Sequence, residues 1–219
     1  MIRRSRVGVR LIGTAFAVVL AVTTSSCGGP DDEGSRPPAT GSVTPGLPAA
    51  LPRLPTGHGE VRPGSRVRGD GMTLVVGGRR ISMAPLHVDQ VAVVPGGVFF
   101  VNQGELWFTD LTRARPTAYT DVRSLVASSD GRLIAFLDQS HGPVDAHGTH
   151  LLLAVGYDAR TGAPVAASYA GLGDLAADHL AADYRAAPPS VLRIGRDGLV
   201  LRGVDRRDHR VPLRHVPVL

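Results

Sequence analysis

Short runs of β-branched and aromatic residues alternate with Gly, Asp and Pro from about residue 65 to the C-terminus. One such pair of runs is Met72–Val76 and Arg79–Met83, separated by Gly77 and Gly78. Two adjacent glycines supply the positive φ angles that a two-residue hairpin turn requires. This texture is typical of strands and tight turns, and it disfavours long helices. The sequence therefore predicts an all-β domain built from successive antiparallel hairpins.

Three segments of the domain share one layout: an apolar strand ends in an aspartate, an arginine-containing turn follows, and a second short strand comes next. Their aspartates are Asp110, Asp158 and Asp205, which lie 48 and 47 residues apart. A period of about 40 to 50 residues with about four strands per unit is typical of β-propeller blades. We therefore expect these three aspartates at matching corners of successive sheets.

The segment Ser128–Phe136 reads S-S-D-G-R-L-I-A-F. It resembles the S-x-D-G-x-x-I-A-F strand pair of TolB-type and WD-repeat-like β-propellers, and residues 94–101 look like a degenerate copy in the preceding unit. The resemblance covers roughly residues 70–219 and implies an incomplete β-propeller of about three four-stranded blades plus a leading hairpin. It implies a role in binding a protein or a small ligand, and it transfers no catalytic residue.

The number of units leaves three architectures open, because a closed propeller usually has at least about four blades. The chain is an N-terminal part of a longer propeller, an open array that a partner completes, or a small barrel-like sandwich. The first interpretation is favoured. A truncated, non-functional fragment of a longer propeller protein is a further alternative.

One segment departs from the β texture. Residues 174–187 carry Leu175, His179, Leu180 and Tyr184 at helical spacing. Asp174 suits the N-cap position, and the prolines after residue 187 end the run. The pattern predicts one short helix between blades.

Residues 1–26 have the three-part layout of a secretory signal peptide. Met1–Arg10 is basic, Leu11–Val22 is apolar, and small polar residues follow. Twelve apolar residues rise about 18 Å as a helix, which is short of a bilayer core of about 30 Å. The layout favours an export signal over a permanent transmembrane anchor.

Cys27 is the only cysteine and follows the small residues directly. The segment Thr24–Cys27 resembles a bacterial lipobox, with Thr24 where leucine is usual. Lipidation of Cys27 after cleavage before it would explain why the cysteine is solitary, since an exported protein with one cysteine has no intramolecular disulfide partner. We expect an exported lipoprotein at the outer face of the cell membrane. The alternative is ordinary cleavage near Ser26, which leaves a free thiol.

Residues 27–64 are rich in Pro and Gly and contain no aromatic residue. Such a segment buries too little apolar surface to offset its chain entropy, so we predict a disordered linker between the lipid anchor and a domain at residues 65–219.

The formal charge of +5 does not indicate nucleic-acid binding. All 24 basic residues are arginine, and four of them precede Cys27, which leaves 20 arginines against 19 acidic residues in the remainder. The C-terminal unit is locally basic, and Arg210 and Arg214 belong to it. That unit has either an anionic partner or a solvated strand surface, and the second reading is favoured.

Candidate chemistry is concentrated in residues 138–150, where His141, Asp145, His147 and His150 offer imidazole and carboxylate ligands for zinc or a similar ion. The glycines and proline of the same stretch favour a solvated loop, and no catalytic motif or cofactor-binding motif is present. We therefore expect an extracytoplasmic, membrane-tethered binding or scaffolding module without catalysis. Its partner is an unidentified protein or small ligand, and a metal-dependent enzyme is the alternative.

Overall fold

The computed structural model describes residues 45–216 and 218. This part of the chain contains fourteen strands and one α-helix, α1 (Leu180–Ala186), which a 3-10 turn at Leu175–Ala177 precedes. The strands are β1 (Val67–Asp70), β2 (Thr73–Val76), β3 (Arg79–Ser82), β4 (Gln90–Val94), β5 (Gly97–Asn102), β6 (Glu105–Thr109), β7 (Ala114–Pro116), β8 (Val122–Ala127), β9 (Leu133–Asp138), β10 (Leu153–Asp158), β11 (Pro164–Ser168), β12 (Ser190–Gly195), β13 (Gly198–Arg202) and β14 (Asp208–Val211).

The described strands form four antiparallel sheets, and in each sheet the strands follow one another in chain order. The first sheet is β1-β2-β3, the second β4-β5-β6-β7, the third β8-β9-β10-β11 and the fourth β12-β13-β14. The all-β prediction is confirmed. The leading hairpin has an additional strand, β1. Its sequence, V-R-G-D, has no buried apolar face, and the strand is held by its pairing with β2.

The first strands of the second, third and fourth sheets are neighbours: β4 lies beside β8, and β8 lies beside β12. Side chains bridge both junctions. Leu125 N donates to Gln90 Oε1 at 2.7 Å, and Val191 N donates to Ser124 Oγ at 2.7 Å. Consecutive sheets are therefore joined through their first strands.

The middle sheets are buried on both faces. In β5, Val98 and Phe100 pack in a cluster that the first and second sheets share, whereas Phe99 and Val101 pack in the large cluster that includes the third and fourth sheets. A strand that is buried on both faces has a continuous apolar run instead of alternating polarity. This explains the sequence G-V-F-F-V at residues 97–101.

The outermost faces of the stack are polar. An ion pair of 2.8 Å joins Arg80 to Asp70 on the first sheet, and another of 2.8 Å joins Arg202 to Asp208 on the fourth sheet. All four side chains are about half exposed. Another sheet packed against either face would have to desolvate these charges.

Residues on the N-terminal side of residue 65 also contribute side chains to the core. Leu51, Leu54 and Val61 are buried in the two clusters. We call residues 51–63 the N-terminal strap. Its buried side chains reach the core from an irregular backbone. They therefore recur with neither the helical nor the strand period, and the Pro-rich sequence gives no sign that they are buried.

Hydrogen bonds hold the N-terminal strap to the turns of the second and third sheets. Leu54 N donates to Gly162 O at 3.0 Å, and Gly59 N donates to Gly96 O at 3.0 Å. The predicted signal peptide and the lipidation site at Cys27 lie outside the described residues.

The three repeated aspartates do not occupy matching corners. Asp110 and Asp158 each lie in the turn between the third and fourth strands of a four-stranded sheet, but Asp205 lies between the second and third strands of the fourth sheet. The prediction is correct for the first two and wrong for Asp205. In all three turns the aspartate Oδ1 accepts a backbone N–H from two residues further on. An aspartate turn of this kind can connect any two neighbouring strands. Its sequence therefore does not indicate which strands of a sheet it connects.

The helical segment is shorter than predicted. Asp174 caps the 3-10 turn, since its Oδ1 accepts the N–H of Ala176 at 3.0 Å. Asp178 then adopts a left-handed conformation with φ 53°, and α1 starts two residues later.

None of the helices in residues 45–216 is both long and apolar enough to cross a membrane.

Candidate functional site

Three hairpin turns meet at one end of the stack. They connect the first and second strands of the second, third and fourth sheets, at residues 95–96, 128–132 and 196–197. Because the first strands of these sheets are neighbours, their turns lie together. We call this the turn end.

A cleft of about 660 Å³ opens at the turn end between the third and fourth sheets, and we call it the main cleft. Apolar side chains of Leu133, Ile194 and Leu213 contribute to its lining, and Ile194 is buried. Its polar lining comes from the β8–β9 turn, the β12–β13 turn and the end of β10. These residues are Ser128, Ser129, Asp130, Arg132, Asp158, Gly195 and Arg196.

Asp130 organises the β8–β9 turn through hydrogen bonds to its side chain. Asp130 Oδ1 accepts hydrogen bonds from Ser128 Oγ at 2.7 Å and from Arg132 N at 3.1 Å. The bond from Ser128 is the largest cause of a lowered pKa of Asp130, and the positive charges of Arg132 and Arg196 lower it further. Both guanidinium groups therefore act on the same carboxylate, although they come from different sheets.

A second cleft of about 500 Å³ adjoins the main cleft. It is lined by Pro95, Arg132, Asp158 and Arg160. Arg132 and Asp158 line both clefts, so the two form one band across the turns of the second, third and fourth sheets.

The arginines of this band have guanidinium groups available for a ligand. Within residues 45–216, neither Arg132, Arg160 nor Arg196 has an ion-pair partner within 4.0 Å. A guanidinium presents several N–H donors in one plane, which matches a carboxylate or a similar oxyanion. Asp130 and Asp158 add acceptors, so the band suits a ligand that carries an oxyanion together with hydrogen-bond donors.

His141, Asp145 and His150, all in the 138–150 loop, each make local hydrogen bonds. His141 Nδ1 contacts Asp138 Oδ2 at 2.8 Å, and His150 Nδ1 donates to Gly142 O at 2.6 Å. Asp145 Oδ1 accepts the N–H of His147 at 3.0 Å and closes a turn. The loop is thereby shaped by its own polar groups.

The four candidate metal ligands are not brought together. In the described part of the chain, no group of three or more His, Cys, Asp or Glu side chains is placed to hold a metal ion. The spacing of His141, Asp145, His147 and His150 in the sequence reflects turn formation, because Asp and Gly are also the residues that tight turns require.

The clefts were not predicted from the sequence, where the segment Ser128–Phe136 stood out and Arg196 did not. Arg132 directly follows the turn residues Asp130 and Gly131, and Arg196 occupies a two-residue turn. Each arginine follows the first strand of its sheet, and the two sheets are successive. This shared position is the sequence signal that could have predicted that the two arginines lie close together.

Comparisons with known proteins found no matching family model, curated protein or solved structure.

Proposed function

We propose that this protein is a membrane-tethered, extracytoplasmic binding module of the β-propeller type, and that it takes its ligand in the main cleft. The observation that carries the proposal is the meeting of turns from the third and fourth sheets around an open cleft with apolar and guanidinium lining. Binding sites are commonly concave and largely apolar, with a few polar groups that orient the ligand.

The propeller assignment is supported by the order and direction of the strands. β1 lies beside β4. Val88 N donates to Gly71 O at 2.8 Å, which places the end of β1 near the start of β4. Since β1 runs opposite to β4, it corresponds to the second strand of a blade. The first sheet then supplies strands two to four of a blade, and the fourth sheet supplies strands one to three.

The ligand class follows from the lining of the main cleft. The guanidinium groups of Arg132 and Arg196 pair with an oxyanion, Asp130 accepts an N–H, and the apolar surface of Leu133 and Ile194 receives a hydrocarbon group. A small molecule with a carboxylate, an amide and an aliphatic side chain combines these features. N-acetylleucine is therefore a suitable probe.

Calorimetric titration of the full chain in detergent with N-acetylleucine tests the assignment. We expect saturable binding that Arg196→Gln weakens about ten-fold, which corresponds to about 1.4 kcal/mol. The matched control Arg185→Gln, on α1, should leave the affinity unchanged. Equal binding of N-acetylleucinamide, which lacks the carboxylate, would refute the role of the arginines.

Tethering is tested separately by mass spectrometry of the protein recovered from bacterial membranes. A mature N-terminus at Cys27 that carries acyl chains supports the lipoprotein assignment. Recovery of the same N-terminus with an unmodified thiol, or of a Cys27→Ser variant in the membrane at the same level, contradicts it. This result is independent of ligand binding.

A further inference from the structure

Within the part of the chain that the structure describes, the last strand of the fourth sheet is β14, whereas the second and third sheets each have a fourth strand. Gly203 N donates to Arg207 O at 3.0 Å. Because hydrogen-bonded pairs alternate along an antiparallel ladder, Asp208 and Arg210 direct their backbone N–H and C=O groups away from β13. In the described part of the chain no strand is paired with this edge of β14.

A groove of about 530 Å³ lies beside this edge, between β14, the end of β11 and residues 45–48; we call it the edge groove. Tyr169, Val211 and Val216 contribute apolar surface to its lining, and Leu47 adds a side chain that is 50% exposed. An extended segment places alternate side chains on opposite sides, so a strand along β14 would direct every second side chain towards these residues.

The rim of the edge groove is basic. Arg210 and Arg214 line it, and no Asp or Glu of residues 45–216 does so. Neither arginine has an ion-pair partner within 4.0 Å in that range. This charge complements an acidic segment and disfavours a basic one.

We propose that the edge groove binds an extended acidic segment of a partner protein, which adds to β14 as a fourth strand. Backbone hydrogen bonds to Arg210 supply affinity, as in other cases of strand addition, and alternating acidic and apolar side chains supply selectivity. The site is separate from the main cleft, and the proposal does not depend on the ligand of that cleft.

Fluorescence anisotropy with a labelled peptide of alternating Glu and Val residues tests the proposal on the full chain in detergent. We expect saturable binding that weakens at least ten-fold in Arg210→Glu and in Arg214→Glu, and that falls as salt is raised. The control is Arg193→Glu, on β12 of the same sheet and outside the groove lining, which should bind as the unmodified protein does. A peptide with Lys in place of Glu should not bind.

A peptide N-methylated at alternate residues distinguishes strand addition from simple charge attraction. Loss of binding on N-methylation supports the added strand, and unchanged binding overturns it. Equal binding by the charge-reversed variants also overturns the proposal. Two further results would overturn the proposal by assigning the groove to another occupant. A dimer in sedimentation that the peptide dissociates would assign it to a second copy of the chain. A gain in peptide affinity when Asp31, Asp32 and Glu33 are changed to their amides would assign it to the acidic N-terminal segment of the chain itself.

Discussion

Val191 donates its backbone N–H to Ser124 Oγ at 2.7 Å, and this bond joins the first strands of the third and fourth sheets. Ser124 lies at an irregularity of β8, where the register with β9 shifts and the serine has a φ of 55°. The shift removes Ser124 from the β8–β9 ladder and leaves its hydroxyl for β12. A local defect in one sheet thereby becomes the link to the next.

Replacing Ser124 by alanine should weaken this link. Val191 is buried, so its N–H would lose its partner away from water, and we expect the free energy of unfolding to fall by about 1–3 kcal/mol. Urea denaturation measures the change. The control is Ser129→Ala at an exposed turn position, which we expect to change stability by no more than about 0.5 kcal/mol. Equal effects of the two substitutions would show that the bond does not stabilise the stack.

Two glycines test whether the N-terminal strap is docked. Gly162 and Gly148 both have positive φ, 67° and 80°, so alanine strains the backbone similarly at each position. A Cβ at Gly162 would lie 2.0 Å from Leu54 O, whereas a Cβ at Gly148 meets nothing within 4 Å. We therefore expect Gly162→Ala to lower the free energy of unfolding by clearly more than Gly148→Ala, which should cost about 1–2 kcal/mol. Similar losses would mean that the strap does not press on this turn.

The four tyrosines should resist ionisation in the folded protein. Burial is the largest cause of a raised pKa at Tyr119, Tyr157, Tyr169 and Tyr184, and it raises the pKa of Tyr184 to about 12. The unfolded chain loses these protons near pH 10, so it binds fewer protons than the folded chain above that pH. Stability is therefore complete below about pH 10 and falls as pH rises towards 12 and beyond.

Phenolate absorbance, followed together with circular dichroism, checks this expectation. The absorbance should rise only as the fold is lost, whereas in urea all four groups should titrate near pH 10. A tyrosine that ionises near pH 10 in the intact fold would contradict the burial of its hydroxyl.

Asp110 should contribute to acid sensitivity. The hydrogen bond from Thr112 Oγ and the backbone N–H groups of Thr112 and Arg113 lower the pKa of Asp110 to about 2. Since the folded-state pKa lies below the unfolded value, the stabilisation is present above about pH 4 and is lost as pH falls towards 2. Asp110→Asn removes the titration, so its stability should fall less steeply over this range. The comparison variant is Asp197→Asn at another exposed turn; if both variants follow the unmodified protein, Asp110 is not the group involved.

The strand pattern was predictable because local chemistry determines it. The paired glycines at residues 77–78 favour a tight hairpin, and the strands predicted beside them at residues 72–76 and 79–83 agree with the structure to within one residue at each end. The role of Asp205 was not predictable, because an aspartate turn looks the same at every corner of a sheet. Strap residues such as Leu54 were missed because burial from irregular backbone leaves no period in the sequence.

The candidate site depends on a long-range arrangement of the chain, and this explains why it was not predicted from the sequence. Arg132 and Arg196 are far apart in the chain, and they converge only because β8 and β12 are neighbours. The histidines of the 138–150 loop illustrate the opposite error. They are close in sequence, but His141 contacts Asp138, His150 contacts the carbonyl of Gly142, and the described residues form no cluster that could hold a metal ion.

The central claim, that the main cleft is a ligand site, is tested most directly by filling it. Gly195 lines the cleft, and a Cβ added there meets nothing within 4 Å, so Gly195→Phe should fold normally and occupy the cavity. We would record amide resonances of the unmodified full chain and of this variant in detergent while adding N-acetylleucine. The account predicts saturable shifts confined to residues 128–133 and 194–196, and their loss in Gly195→Phe. Identical shifts in both proteins, or shifts only elsewhere, would contradict it.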